Sequence, residues 1–113
     1  MVADCLFCKI INGDIPATPL YEDDEVYAFN DISPQAPCHF LVIPKKHLSG
    51  PSAVRPENEA LIGKLTRIGA ELAKEKGYDD FRLVVNNGAG AGQTVFHYHL
   101  HILAGRSMTW PPG

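Results

Sequence analysis

Three histidines stand at alternate positions near the end of the chain, at His97, His99 and His101. Successive residues of a β-strand point to opposite faces, so on a strand all three imidazoles would share one face, with neighbours about 6.5 Å apart. Protonated imidazoles held this close repel one another, which favours a functional site over a solvated polar face. Two chemistries fit the pattern. Clustered histidines bind zinc, copper or nickel, and a neutral imidazole is a good nucleophile or base near pH 7.

A glycine-rich segment over residues 86–92 lies just before these histidines and helps to choose between the two chemistries. It lacks the Gly-Lys-Ser/Thr ending of a P-loop, and no predicted helix follows it, so a dinucleotide-binding fingerprint is excluded as well. Glycines let backbone N–H groups converge on an anion, and Asn86, Gln93 and Thr94 add side-chain donors. A simple flexible hairpin loop is the alternative. A phosphate held there would lie beside the histidines, which favours attack on phosphorus over a bare metal site.

The order of predicted helices and strands along the sequence indicates an α+β fold with an antiparallel sheet. The strands cluster in the sequence, and the helices do not alternate regularly with them. Leu61, Leu65, Ile68 and Leu72 form one apolar stripe, which indicates a long amphipathic helix. The predicted elements are a short helix over 5–11 capped by Asp4, a hairpin of 20–22 and 26–29, a buried central strand over 39–43, a long helix from Pro56 to Gly77, a strand over 81–85 and a last strand over 94–104.

Composition narrows the class of protein further. The 113 residues predict a single domain over 1–113, and 45% are hydrophobic. The formal net charge of −3 offers no basic excess, so we expect no nucleic-acid partner. No run of about 18 apolar residues is present, and residues 1–9 do not read as a signal peptide, so we expect no membrane association and a cytoplasmic location.

Residues 93–103, with the sequence QTVFHYHLHIL, resemble the signature of the histidine-triad superfamily. Residues 31–37, 39–47 and 110–113 are similar to its Hint branch, the purine nucleotide-binding phosphoramidases. This resemblance implies a five-stranded antiparallel sheet with one short N-terminal helix and one long helix, and a homodimer that joins two sheets into one. It also implies hydrolysis of nucleoside 5′-phosphoramidates or aminoacyl-adenylates to the purine nucleoside monophosphate, through a covalent nucleotidyl-histidine. A dinucleoside polyphosphate hydrolase and a non-catalytic nucleotide-binding regulatory module are the alternatives.

The resemblance also implies a role for each matching residue. The catalytic set is His99 as nucleophile, His101 at the leaving group, His39 orienting the nucleophile, and His97 as the first member of the triad. Asp31 would bind the ribose hydroxyls, and Trp110 would enter from the partner subunit. The base pocket would be lined by Leu6, Phe7, Ile10, Ile32 and Leu41, and the phosphate held by Asn86, Gly92, Gln93 and Thr94. Asn30, where a histidine is common, and Thr94, where a serine is usual, depart from the familiar animal Hint pattern.

Cys5 and Cys8 lie one helical turn apart at the N-terminus. A thioredoxin-like redox pair is disfavoured, because that motif follows a strand in a βαβ unit. Two small buried residues are a second interpretation. The third is a structural zinc held with His47 and His97, since zinc favours a tetrahedral set of two cysteines and two histidines and some histidine-triad proteins resemble this pattern. We expect the structural zinc site, and we interpret Cys38 as a buried thiol without a partner.

Overall fold

Five antiparallel strands form one sheet in the spatial order β1-β2-β3-β5-β4. A computed structural model describes residues 2–113 of the chain. The strands are β1 (Tyr21–Glu22), β2 (Val26–Asn30), β3 (Cys38–Pro44), β4 (Phe81–Val84) and β5 (Leu100–Ala104), and the helices are α1 (Leu6–Ile11) and α2 (Glu59–Glu75). The predicted α+β class, with its antiparallel five-stranded sheet, short first helix and long second helix, is confirmed.

The central strand β3 is buried along its whole length, as predicted from its continuous apolar run. Its side chains alternate between two layers. Phe40 and Val42 belong to the core that α2 covers. Leu41 and Ile43 belong to a second, smaller core around Phe7 of α1. The sheet therefore separates the two helices, and the α1 side is the side on which His39 and His101 lie, since Leu41 pairs with His101.

Helix α2 packs through the predicted stripe. Leu65, Ile68 and Leu72 are buried in the same core as β3, and Leu61 packs against it while partly exposed. We expected the helix to begin at Pro56, but residues Pro56–Asn58 form a 3₁₀ turn and the α-helix begins at Glu59. The reason is local: the Asn58 N–H donates to the Arg55 carbonyl at 2.8 Å, which closes a tighter turn before the helix starts. Gly77, at φ +94°, ends the segment as predicted.

Helix α1 begins differently from the prediction. Asp4 is not its cap. Cys5 is the N-cap residue, with an extended backbone, and its Sγ accepts the Cys8 N–H at 3.3 Å. The same sulfur also lies 3.4 Å from His97 Nδ1, so it faces the buried interior. The fold thereby brings two thiols to the buried end of a short helix.

The last strand is shorter than predicted. We expected a strand from Thr94 to Ala104, but β5 begins only at Leu100. Its pairing with β3 ends at Val42 opposite Leu100, although β3 continues to Pro44. Before Leu100 the chain leaves the sheet, and the Tyr98 N–H donates to the Leu48 carbonyl instead. The inside–outside alternation nevertheless continues through the irregular segment. Tyr98, Leu100 and Ile102 all lie in the α2-side core, as predicted.

The described part of the chain contains no helix that is both long enough and apolar enough to span a lipid bilayer.

Candidate functional site

His99 is held by the backbone of its own chain segment. Its Nδ1–H donates to the carbonyl oxygen of His97 at 2.7 Å. A carbonyl oxygen only accepts, so the ring carries its proton on Nδ1 and the Nε2 atom keeps its lone pair. Phe7 packs edge-on against the ring, with centroids 5.1 Å apart. His99 is therefore a buried imidazole, 6% exposed, in the tautomer that a nucleophile at Nε2 requires.

His39 and His101 form a second pair across β3 and β5. The Gln35 N–H donates to His39 Nδ1 at 3.0 Å, which places the proton of the neutral His39 ring on Nε2. That Nε2–H donates to His101 Nδ1 at 2.9 Å, so His101 carries its own proton on Nε2. One backbone amide thus sets two tautomers in sequence. The expected hydrogen bond from His39 within the set of histidines is present and runs to His101, whose ring centroid lies 5.0 Å from that of His99. The orienting role of His39 toward His99 stays a prediction.

Electrostatics keeps these two rings neutral. Burial lowers the pKa of His39, and the Asp31 carboxylate opposes this only in part. Burial lowers the pKa of His101 to about 4, with further lowering by the neighbouring His99 and His39 rings. A neutral His101 with its proton on Nε2 can donate a hydrogen bond, or a proton, to a group bound next to it.

Asp31 lies at the end of β2 beside this pair. Its Oδ2 atom is 3.4 Å from His39 Nε2, and its Oδ1 atom accepts the Ser33 N–H at 2.8 Å. These contacts fix the carboxylate while leaving lone pairs for a further donor. A fixed carboxylate of this kind can accept hydrogen bonds from a sugar diol, the partner that the family resemblance implies.

A cleft of about 660 Å³ joins these groups to an apolar pocket. The structure brings to its wall the five predicted base-pocket residues, together with Asp31, Thr94, His99 and His101. Seven further lining residues escaped the sequence analysis, since nothing in their type or spacing marks them: Ile15, Pro16, Ala17, Thr18, Phe29, Ser33 and Val95. The cleft thus offers an apolar wall, a carboxylate, a nucleophilic nitrogen and an N–H donor along one surface.

The glycine-rich loop differs from the predicted phosphate cradle. The N–H groups of Gly92 and Gln93 donate to carbonyls inside the loop, at 3.0 and 3.1 Å. The Gln93 side chain donates to the carbonyls of Ser49 and Val95 and accepts the Gly88 N–H. Gln93 therefore holds the loop in shape, and its donors are not available to a phosphate. Among the described residues, Asn86 and Gly92 lie outside the cleft wall, and Thr94 lies on it.

Trp110 is also absent from the cleft wall among the described residues, and its side chain is 82% exposed. Within one subunit, Trp110 therefore does not contribute to the wall of this cleft.

Cys5, Cys8, His47 and His97 converge, as predicted for a metal site. Their ligand atoms all lie within 4.8 Å of one another. The Sγ–Nδ1 distances from Cys5 to His97 and from Cys8 to His47 are both 3.4 Å, and the two Nδ1 atoms are 3.2 Å apart. Metal–ligand bonds of about 2.3 Å to sulfur and 2.0–2.1 Å to nitrogen require tetrahedral edges of about 3.3–3.8 Å. The cluster can therefore hold a metal such as zinc.

The hydrogen bonds around this cluster suit a metal ligand as well. His97 Nε2–H donates to the Pro44 carbonyl at 2.8 Å, which leaves the Nδ1 lone pair directed at the cysteines. Burial lowers the pKa of His97 to about 4 and raises the pKa of the Cys5 thiol. A buried thiol and a buried neutral imidazole are stabilised together when a cation binds between them. A tetrahedral metal held by all four cluster residues would have no position open for substrate.

Comparison with known proteins decides the family. The family model described as "HIT domain" matches residues 12–108. This chain belongs to the HIT family. An uncharacterised HIT-like protein of Synechocystis is 56% identical over 114 residues, covering 100% of both chains.

Solved structures of HIT proteins share the whole fold. A HIT family hydrolase from Legionella pneumophila superposes with a TM-score of 0.94 at 48% identity, covering 97% of this chain and 100% of that one. A HIT family hydrolase from Clostridium thermocellum superposes with a TM-score of 0.93 at 39% identity, covering 96% of each chain. The histidine-triad resemblance of residues 93–103 is thereby confirmed at the level of the family.

Proposed function

We propose that this HIT protein is a hydrolase of the Hint type, which cleaves purine nucleoside 5′-phosphoramidates or aminoacyl-adenylates to the nucleoside monophosphate. The observation that carries the proposal is the hydrogen bond from His99 Nδ1–H to the His97 carbonyl, because it leaves the Nε2 lone pair for the cleft. The similarity to two proteins named HIT family hydrolases supports the same reaction class.

The reaction proceeds in two displacements. His99 Nε2 attacks the α-phosphorus, a nitrogen–phosphorus bond forms, and the bond from phosphorus to the leaving amine breaks. His101 Nε2–H lies on the same cleft and supplies the proton that the departing amine nitrogen takes. Water then attacks the phosphorus and passes a proton to His101 Nε2, which restores that ring. The bond from phosphorus to His99 Nε2 breaks with its electron pair returning to His99, and the nucleoside monophosphate is released.

Substrate recognition divides along the cleft. The apolar wall that includes Leu6, Phe7 and Ile10 receives the purine base, and the fixed Asp31 carboxylate accepts hydrogen bonds from the ribose. Thr94 and His101 remain as donors to the phosphate, since the loop side chain of Gln93 is engaged with backbone carbonyls. The change from a usual serine to Thr94 keeps the hydroxyl donor at this position.

We propose that the active unit is a homodimer. Strand β4 lies at an edge of the sheet. Leu83 on this strand and Val85, the residue after its end, are exposed apolar side chains. An exposed apolar edge strand is a ready template for pairing with a second chain. Pairing there would extend the sheet across both subunits and place a partner's tail, with Trp110, beside each cleft.

The Cys5, Cys8, His47 and His97 cluster is proposed to bind a structural zinc ion. Metal analysis of protein purified without chelators is expected to give one zinc per chain, and less than half of that amount would contradict the assignment. Loss of zinc from a Cys8→Ser variant, with retention in Cys38→Ser, would tie the metal to this cluster.

The test of the reaction is turnover of adenosine 5′-phosphoramidate by the wild type and by His99→Ala. Release of the monophosphate by the wild type alone supports the proposal. Turnover of diadenosine polyphosphate in preference to the phosphoramidate would favour the polyphosphate hydrolase instead. Tight binding of the monophosphate with no turnover of either compound would favour a nucleotide-binding regulatory module.

A further inference from the structure

His97 connects the metal cluster to the nucleophile. Its side chain is one of the four cluster residues, and its backbone carbonyl accepts a hydrogen bond from His99. The Nδ1 atom lies 3.4 and 3.5 Å from the sulfurs of Cys5 and Cys8. The carbonyl oxygen of the same residue accepts the Nδ1–H of His99 at 2.7 Å. The group that selects the tautomer of His99 is therefore part of a candidate metal ligand.

The peptide group that follows His97 is fixed at several points. The Tyr98 N–H donates to the Leu48 carbonyl at 2.6 Å, and His97 Nε2–H donates to the Pro44 carbonyl at 2.8 Å. His47, the fourth cluster residue, lies on the same segment between Pro44 and Leu48. This region is irregular backbone with no sheet pairing of its own, since β5 begins at Leu100. A metal held by His47 and His97 would therefore cross-link the segment after β3 to the segment before β5, which are not joined by strand pairing.

Phe7 forms a second path from the cluster to the nucleophile. It stands between Cys5 and Cys8 in sequence, and its ring is 5% exposed. The ring lies edge-on to His99, with centroids 5.1 Å apart, and edge-on to His97, with centroids 6.0 Å apart. Cysteine ligands on both sides of Phe7 would fix the position of this ring. His99 is thus restrained by a hydrogen bond on one side and by an aromatic edge on another.

We propose that the loaded Cys5, Cys8, His47 and His97 cluster positions His99 for catalysis, through the His97 carbonyl and the Phe7 ring. The inference rests on the proposed function of His99, and it assigns His97 and Phe7 as positioning residues that do not touch the reacting atoms. A purely structural metal would tie α1 to the sheet and change only the stability of the protein. A positioning metal also changes how well His99 points at phosphorus.

The first experiment compares Cys8→Ser with Cys38→Ser. Both residues are buried free thiols, but Cys38 lies in the α2-side core away from the cluster. We expect Cys8→Ser to lose bound zinc and to lower kcat about 10- to 100-fold, the cost of a small misplacement of a reacting group, with KM nearly unchanged. Cys38→Ser is expected to keep both zinc and kcat.

A second variant removes the ring contact between Phe7 and His99. Phe7→Leu keeps all four cluster residues, so we expect it to bind zinc and to show a reduced kcat. Phe96→Leu is its matched control, since Phe96 directly precedes His97 but is half exposed and does not line the cleft. For Phe96→Leu we expect bound zinc, KM and kcat all to be retained. These two variants decide the inference even where Cys8→Ser fails to fold.

The tautomer of His99 gives a readout that does not depend on turnover. In ¹⁵N spectra of the zinc-loaded protein, we expect His99 as a single Nδ1–H tautomer, and in folded, zinc-depleted protein a mixture of tautomers. Unchanged His99 signals together with an unchanged kcat in folded, zinc-depleted protein would overturn the proposal. If wild-type protein hydrolyses no phosphoramidate, the proposed function fails, and the ¹⁵N spectra still decide whether the cluster positions His99.

Discussion

Helix α2 packs closely against β3 and β5 at Gly69, and substitution by alanine tests how much room that packing leaves. A Cβ at Gly69 would lie 2.8 Å from Ile102 Cδ1 and 3.6 Å from Val42 Cγ2. Ile102 and Val42 are fully buried, so neither can move into open space. Gly63 lies on the same helix, and a Cβ added there would meet nothing within 4 Å, which makes it the matched control.

Both substitutions gain helix propensity, but only Gly69→Ala adds a methyl group to a filled core. Replacing glycine by alanine inside a helix stabilises it by about 0.8–1 kcal/mol. Overpacking a core by one methyl group costs about 1–3 kcal/mol. We therefore expect Gly63→Ala to raise the free energy of unfolding by about 1 kcal/mol, and Gly69→Ala to lie about 1–3 kcal/mol below Gly63→Ala. For a chain of this size, the difference corresponds to about 4–12 °C in Tm.

Urea and thermal unfolding of the two variants and the wild type measure this difference. Because Ile102 follows His101 on β5, a displaced Ile102 would also disturb the site, so we expect Gly69→Ala to lose some turnover and Gly63→Ala to keep it all. Equal stabilisation by both substitutions would refute the reasoning, since it would mean that the helix and the sheet have room for a methyl group at Gly69.

Three further predictions follow from the contacts of the site. Because burial lowers the pKa of His101 to about 4 from an ordinary value of 6.5, the unfolded chain binds a proton at His101 before the folded chain does, and stability falls as the pH drops from 6.5 to 4. Between pH 7 and pH 4.5, urea unfolding should show a smaller fall in the free energy of unfolding for His101→Asn than for the wild type. Equal falls for both proteins would contradict this prediction. Gln93→Leu removes three hydrogen bonds of the glycine-rich loop. It is expected to lower the free energy of unfolding by about 1–3 kcal/mol, and a lost phosphate affinity at unchanged stability would point to direct binding instead. Trp110→Ala removes an exposed side chain, so we expect an unchanged Tm and a dimer by sedimentation. We expect a lowered kcat/KM, because the proposed dimer places Trp110 of one subunit beside the cleft of the other; an unchanged kcat/KM would exclude that contact.

Sequence periodicity predicted much of the fold because each long element buries a continuous surface. The stripe from Leu61 to Leu72 and the apolar run of β3 both reflect burial, and both were correctly placed. The ends were less predictable. Whether Asp4 or Cys5 caps α1, and whether β5 begins at Thr94 or Leu100, depends on partners distant in sequence.

Residue types predicted which residues form the site better than they predicted the hydrogen bonds between them. The pairing of His39 with His101, and of His99 with the His97 carbonyl, follows from which backbone groups reach each ring. Main-chain donors and acceptors such as the Gln35 N–H leave no trace in the side-chain sequence. For the same reason, a glycine-rich segment suggested a phosphate cradle, whereas several of its amides close on carbonyls of the loop itself.

The most direct test of the central claim is to look for the covalent intermediate on His99. Protein mixed with adenosine 5′-phosphoramidate is quenched during turnover, and its intact mass and peptide masses are measured, with His99→Ala beside it. The account predicts an adduct of a nucleoside monophosphate less water on the peptide that contains His99, and no adduct in the variant. Clear turnover with no adduct at any quench time, or an adduct on another residue, would contradict nucleophilic attack by His99.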